Sequence, residues 1–283
     1  MVNIRSIFTI IIGMSPHSIK KLRLSLGIIM IGLFHATSAW AQYNETIRAD
    51  RPGAAIVPFA VGSHVLQLQG GLSYSEYTVS ESYPSFGKDG GGDLTIRYGL
   101  TESFELNSSF GHTIVREGND STSNTYGGVN LWDIGFRYNI FSGENWVPSV
   151  GIQTSFGLPW LDSDFSTEYV RPKIILIAAL NMSSTLTLTT NMGLEWDGNM
   201  ANPLGYYVFN FSFAASNKLS LFLEAYGYVD DGTWYPYFNA GAGYLLNNNL
   251  QIDLYTGIGT GPNELSDWLI SAGVSWRVQF ANN

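Results

Sequence analysis

Downstream of residue 62 the chain alternates apolar and polar residues in twos. In the last such segment Trp268, Ile270, Ala272, Val274, Trp276, Val278 and Phe280 alternate with Leu269, Ser271, Gly273, Ser275, Arg277 and Gln279. Side chains of a strand point to opposite faces with period two, so this is a strand with one greasy face. The same dyad recurs in Leu66–Tyr74, Asp93–Tyr98, Phe104–Phe110, Asp133–Ile140, Ser149–Phe156 and Leu186–Glu195. A less regular strand spans 170–181, apolar on both faces after Lys173, and further strands span 206–215, 219–229, 235–246 and 250–260, for twelve in all.

Segments of about 9–13 residues suit tilted strands that cross a bilayer. A soluble sandwich would also alternate, with its apolar face inward, and connection lengths separate the two. Long polar connections (80–92, 117–128, 159–169, 197–205, 230–234, 261–267) alternate with tight ones (99–102, 142–147, 182–184, 216–218, 247–249). That order fits an outer-membrane barrel with both termini periplasmic and the long loops outside. Trp132, Trp160, Trp196, Trp234 and Trp268 fall near outer strand ends and Trp146 near an inner one, as an interfacial girdle requires. The expected fold is all-β: an antiparallel transmembrane barrel of about 12 strands, with short periplasmic turns and longer extracellular loops.

Composition agrees. Only 13% of residues are charged, and none is cysteine, which excludes disulfides, thiolate catalysis and cysteine-based metal sites. Near the N-terminus, His17, Lys20, Lys21 and Arg23 precede the apolar run Leu24–Phe34 and then Ala39-Trp40-Ala41. This reads as a secretory signal over residues 1–41, since the run is shorter than the roughly 20 residues a spanning helix needs. A second short apolar run, 7–12, leaves Met1 and Met14 as alternative starts. Removing the leader leaves 10 basic residues against 23 acidic ones, a charge of −13. The long connections hold Glu81, Asp89, Glu117, Asp120, Asp162, Asp164, Glu168, Asp197, Asp230, Asp231, Glu264 and Asp267 against Lys88. An acidic chain lacks the basic face that nucleic acid needs; the expected partners are outer-membrane lipid and lipopolysaccharide, the barrel-assembly machinery and an unidentified small solute.

Ala49-Asp50-Arg51-Pro52-Gly53, Val61-Gly62-Ser63, the strand from Leu66 to Tyr74 and Arg97-Tyr98-Gly99-Leu100-Thr101-Glu102-Ser103-Phe104-Glu105-Leu106 carry a family resemblance. Together they resemble the outer-membrane family labelled putative MetA-pathway of phenol degradation, over essentially the whole mature chain. The resemblance implies an outer-membrane transporter. It departs at Gln69, where the family often has Glu, and at the C-terminus, which runs past Phe280 to Asn283. Phe280 is the expected assembly signal, the role of a terminal aromatic in such barrels.

The polar faces are expected to line the lumen, contributing Asp93, Glu105, Asp133, Glu195, Glu224 and Asp253 against Arg97, Arg137, Arg277 and Lys173. Mixed charges in a narrow barrel pair with one another, because an unpaired ion there is costly. Twelve strands about 4.8 Å apart, tilted about 40°, give a backbone diameter of roughly 24 Å, passable by small solutes only. Residues 42–62, with Pro52 and Pro58, read as a periplasmic lead-in, a partial plug being the less favoured alternative; the barrel occupies 63–283.

Catalytic chemistry has thin support. His64 and His112 are the mature chain's histidines, and His112 shares a face with Ser108 and Phe110. An outer-membrane lipid hydrolase would need more than this, so His112 reads as interfacial. Gly257-Ile258-Gly259-Thr260-Gly261 lies within and just after a strand, whereas a dinucleotide loop opens a helix. Asp162 and Asp164, or Asp230 and Asp231, offer hard oxygens without the spacing of a calcium loop. No catalytic residue, metal or cofactor is expected. The favoured reading is a non-enzymatic outer-membrane channel for passive passage of small solutes, with a closed structural or interaction barrel bearing acidic outer loops as its rival.

Overall fold

The computed structural model describes residues 46–80, 85–119, 122–199, 202–259 and 268–280; the expected signal segment and the start of the lead-in lie outside them. Twelve strands follow one another: β1 (Val65–Ser80), β2 (Ser85–Gly99), β3 (Phe104–Gly118), β4 (Ser123–Phe141), β5 (Ser149–Gly157), β6 (Arg171–Asn181), β7 (Leu186–Glu195), β8 (Leu204–Ala214), β9 (Leu219–Asp230), β10 (Thr233–Asn247), β11 (Leu250–Gly259) and β12 (Trp268–Gln279). Each pairs antiparallel with its sequence neighbours, and β1 pairs with β12, Leu66 opposite Val278, to close the barrel. Closure leaves no free sheet edge, the condition for strands to cross a bilayer.

Alternation sets what each wall shows. Leu72, Leu176, Leu223 and Leu254 point outward and are 54–73% exposed, whereas inward Arg97 and Glu105 are 1% and 0% exposed. A soluble protein buries the first set and exposes the second; this inversion is the mark of a barrel whose outside solvent is lipid. Aromatic pairs stud the outward wall, among them Tyr74 with Trp268 and Phe110 with Trp132; Trp268 opens β12, but Trp132, expected near a strand end, lies in the middle of β4 because that strand begins at Ser123.

Strand limits match the sequence expectation closely from β5 to β12 and depart from it in β1–β4. Most of 80–92 and 117–128, expected as loops, is ladder: Glu76 faces Lys88 and Glu117 faces Asn124 in register. The run Gly90-Gly91-Gly92 has no side chains to alternate, so periodicity was silent there while backbone pairing was not. Two acids assigned to outer loops thus sit on strands with partners, Asp89 accepting from Ser75 and Glu117 accepting from Tyr77 Oη at 2.9 Å.

The second correction concerns the lead-in. Residues 46–62 lie inside the barrel, bonded to strands around its circumference. Their apolar part explains why β6 is apolar on both faces: Ile174 and Leu176 face outward, while Ile175 and Ile177 form a buried cluster with Ala55, Tyr206 and Val208.

Candidate functional site

Two adjacent residues of the interior segment carry its ionic contacts. Asp50 forms a bidentate pair with Arg137, Oδ1 accepting from Nη1 at 3.0 Å and Oδ2 from Nη2 at 2.7 Å. Arg97 Nη1 approaches the same carboxylate at 3.2 Å. Behind them the buried Glu105 takes Arg97 in a second fork, Nε at 2.8 Å and Nη2 at 2.9 Å. Such fork geometry gives both energy and register. Burial opposes ionisation of Asp50, but Arg137 and Arg97 outweigh it and hold the carboxyl below its ordinary value of 3.8.

Arg51 bridges two strands that the barrel seam brings together. Its Nη1 donates to Asp93 at 3.2 Å, and its Nη2 donates to Asp253 at 3.2 Å and Ser271 Oγ at 3.0 Å. The guanidinium lies over Gly71 and Gly273, opposite one another on β1 and β12; a Cβ at either would occupy its place.

Backbone groups of the segment are satisfied by side chains, as buried backbone must be. Glu224 accepts from the amides of Ala54 at 2.8 Å and Ala55 at 2.9 Å, and from Asn210 and Asn239 at 3.0 Å each. Asn191 both accepts from Ile56 N and donates to Ile56 O, at 2.9 Å each. Further along, Val61 N donates to Glu105 Oε2 at 2.9 Å, and Arg277 Nη1 donates to Thr46 O at 3.3 Å. Gly53 makes the turn at φ +95°, close against Glu224.

The expected interior charges therefore fall into two groups. Asp93, Arg97, Glu105, Arg137, Glu224, Asp253 and Arg277 all bind the segment directly, or through one another. Asp133 and Glu195 do not reach it; they pair with Arg171 at 3.6 Å and Lys173 at 2.7 Å, and Lys173 covers the Tyr206 ring at 4.1 Å. Sequence reasoning missed Asp50, Arg51, Gln69, Asn191 and Gln251, of which the last donates to Arg51 O at 2.9 Å. One signal was present: six interior carboxylates had been matched with four cations. Arg51 and Arg171 supply two missing partners, two segment amides answer Glu224, and Asp50 adds a carboxylate that Arg137 and Arg97 take up.

Two cavities of about 310 Å³ each flank the segment, one against β1–β5 and one against β7–β11, and Asp50 and Arg51 border both. His112 stands exposed on the outer wall, and Ser108 Oγ donates to the Asp133 carbonyl at 2.9 Å. Phe280, also exposed, donates its amide to His64 O at 2.9 Å where β1 begins.

A family model described as "Putative MetA-pathway of phenol degradation" matches residues 49–278. No curated protein matches the sequence. Among solved structures the chain is similar to an outer membrane channel from Pseudomonas putida F1, at 12% identity and a TM-score of 0.59, covering 82% of this chain and all of that one. It is similar to the KdgM porin in complex with disordered oligogalacturonate, at 13% identity and a TM-score of 0.50, over 75% of this chain and 99% of that one. The transport unit of the autotransporter AIDA-I from Escherichia coli aligns at 9% identity and a TM-score of 0.52, over 88% and 97%. At these identities the likeness is one of fold, that of outer-membrane channels and porins.

Proposed function

We propose, for a chain that belongs to the family described as putative MetA-pathway of phenol degradation, the function of an outer-membrane channel for passive passage of small solutes. Its own residues 46–62 keep it closed at rest. The observation that carries this reading is a polar barrel interior occupied by a segment of the same chain, with cavities on both sides of it. The apolar outward wall supports residence in the outer membrane, reached behind a cleaved leader with Phe280 as the assembly signal.

A filled interior also favours the second reading, a permanently closed structural barrel. Planar-bilayer recording decides between them. We expect the refolded mature chain to show brief, small conductance steps and a variant lacking residues 46–62 to show larger, longer ones. Silence from both proteins, across salts, establishes the closed barrel instead. Lipid hydrolysis is excluded if His112→Ala and the parent protein are equally inactive on phospholipid.

A further inference from the structure

In the β1–β5 cavity a row without charge lies between the level of Arg97 and that of Asp93. Gln69, Thr95 and Ser109 are register partners across β1, β2 and β3, and Asn107 stands one step along β3 opposite Arg97. All four line the cavity. The Thr95 and Ser109 hydroxyls bond each other at 2.8 Å. Gln69 Oε1 accepts from the amides of Asp50 and Arg51, which fixes its Nε2 as the free end, and that nitrogen is buried without a hydrogen-bond partner. Asn107 Nδ2 is buried without a partner as well. An amide N–H₂ in this state is costly until an acceptor arrives.

The neighbouring charges do not offer themselves to a solute. Arg97 is bound to Glu105, Asp50 and two backbone carbonyls, and Arg137 to Asp50, Gln153 and a carbonyl, which uses the donors a guanidinium has. Arg51, Arg97 and Arg137 face Asp50, Asp93, Glu105 and Asp253, so the cluster carries no surplus cation for a carboxylate. The fourth carboxylate leaves one negative charge over, but Asp93 and Asp253 divide the single guanidinium of Arg51 between them, so a solute cation finds no carboxylate without a partner.

We propose that this cavity binds a small uncharged solute that presents a carbonyl or hydroxyl oxygen to the amide groups of Asn107 and Gln69. Its remaining carbon surface rests on Leu131 and Ile56, which line the same space. A solute oxygen placed there supplies the acceptor that both amide nitrogens lack. The assignment rests on the channel reading and narrows it: the filter selects for hydrogen-bond acceptance and against charge.

The test is ligand-observed saturation-transfer NMR on the refolded full chain in detergent micelles, with isobutyramide, isobutyrate and isobutylammonium as probes of one size. We expect isobutyramide to bind in the millimolar range and both ions to bind at least about tenfold more weakly. Asn107→Leu and Asn107→Asp each remove the free donor without touching the segment, and each should weaken the amide about five- to tenfold. Folding is verified for both by heat-shifted migration on gels, so failure of one variant leaves the other. Isobutyrate binding as tightly as the amide, no binding of the amide, or amide binding unchanged in a folded variant overturns the proposal. Binding requires no conduction, so a silent bilayer record overturns the channel while this result stands separately.

Discussion

Two walls of one barrel interior hold the same short segment by different physics. Toward β1–β5 and the seam the contacts are forks and ion pairs: Asp50 with Arg137 and Arg97, and Arg51 with Asp93 and Asp253. Toward β6–β8 they are apolar, Ala55 against Ile175, Ile177, Tyr206 and Val208. Glu224 and Asn191 bind the segment's backbone near this junction. The apolar contacts are indifferent to pH and salt, whereas the ionic ones depend on partners staying charged. The ionic wall is therefore the side on which solution conditions weaken the hold on the segment, while the apolar contacts persist.

The comparison breaks first on the ionic side. Glu105→Ala leaves Arg97 with its principal carboxylate gone in a buried site, and loss of one partner of a buried pair costs about 3–5 kcal/mol. The chain has no cysteine, so Ala54→Cys provides a single labelling site on the segment. In Glu105→Ala, thiol labelling of that site should be faster by orders of magnitude. Unchanged labelling would show that the apolar wall alone sets the docking. Ile177→Ala is the reciprocal change, removing a fully buried side chain from the apolar wall at about 2–4 kcal/mol. It should accelerate labelling less than Glu105→Ala and equally at every pH.

Sequence pattern revealed the outside of this molecule better than its inside. The lipid-facing wall is legible because every second residue must be apolar over the whole bilayer thickness, as in Leu186, Leu188, Met192 and Leu194. The interior obeys no such period, since what each side chain needs depends on a segment more than a hundred residues away, as Ile56 is from Asn191. Gly71 and Gly273 read as ordinary members of polar faces and prove to be the slot for Arg51. Local signs existed: the second apolar face of β6, and the excess of interior carboxylates over cations. They indicated a missing partner without saying which part of the chain supplied it. The Asp50-Arg51-Pro52 motif that carried the family resemblance is itself the missing piece.

Acid should sharpen the contrast between the walls. Asp50 titrates lower in the docked segment than free in solution, so protons favour release. Its contribution is complete above the ordinary carboxylate value of 3.8 and is lost as pH falls through the depressed one. Conductance, and Ala54→Cys labelling taken relative to a free thiol at the same pH because the thiolate is the reacting form, should therefore stay level from neutral pH down to that range and rise below it. Asp50→Asn should show the raised level already at neutral pH, with this acid step removed. An acid step that persists in Asp50→Asn assigns it to another carboxylate.

The smallest effect belongs to Arg51→Lys. Lysine keeps the charge but loses the planar fork that spans Asp93 and Asp253 across the seam, and an ammonium reaches one of them at a time. The Asp93 side chain is 41% exposed, so its share of the pair is screened and worth at most about 1 kcal/mol. Labelling should accelerate only a few-fold, and 1 M salt, where the screening length falls to about 3 Å, should remove most of the difference from the parent protein. The Glu105→Ala effect should survive the same salt, because Arg97 and Glu105 are shielded from the solution by the segment above them. If both variants respond equally to salt, the ionic wall is hydrated throughout, and its advantage over the apolar wall lies in register rather than in strength.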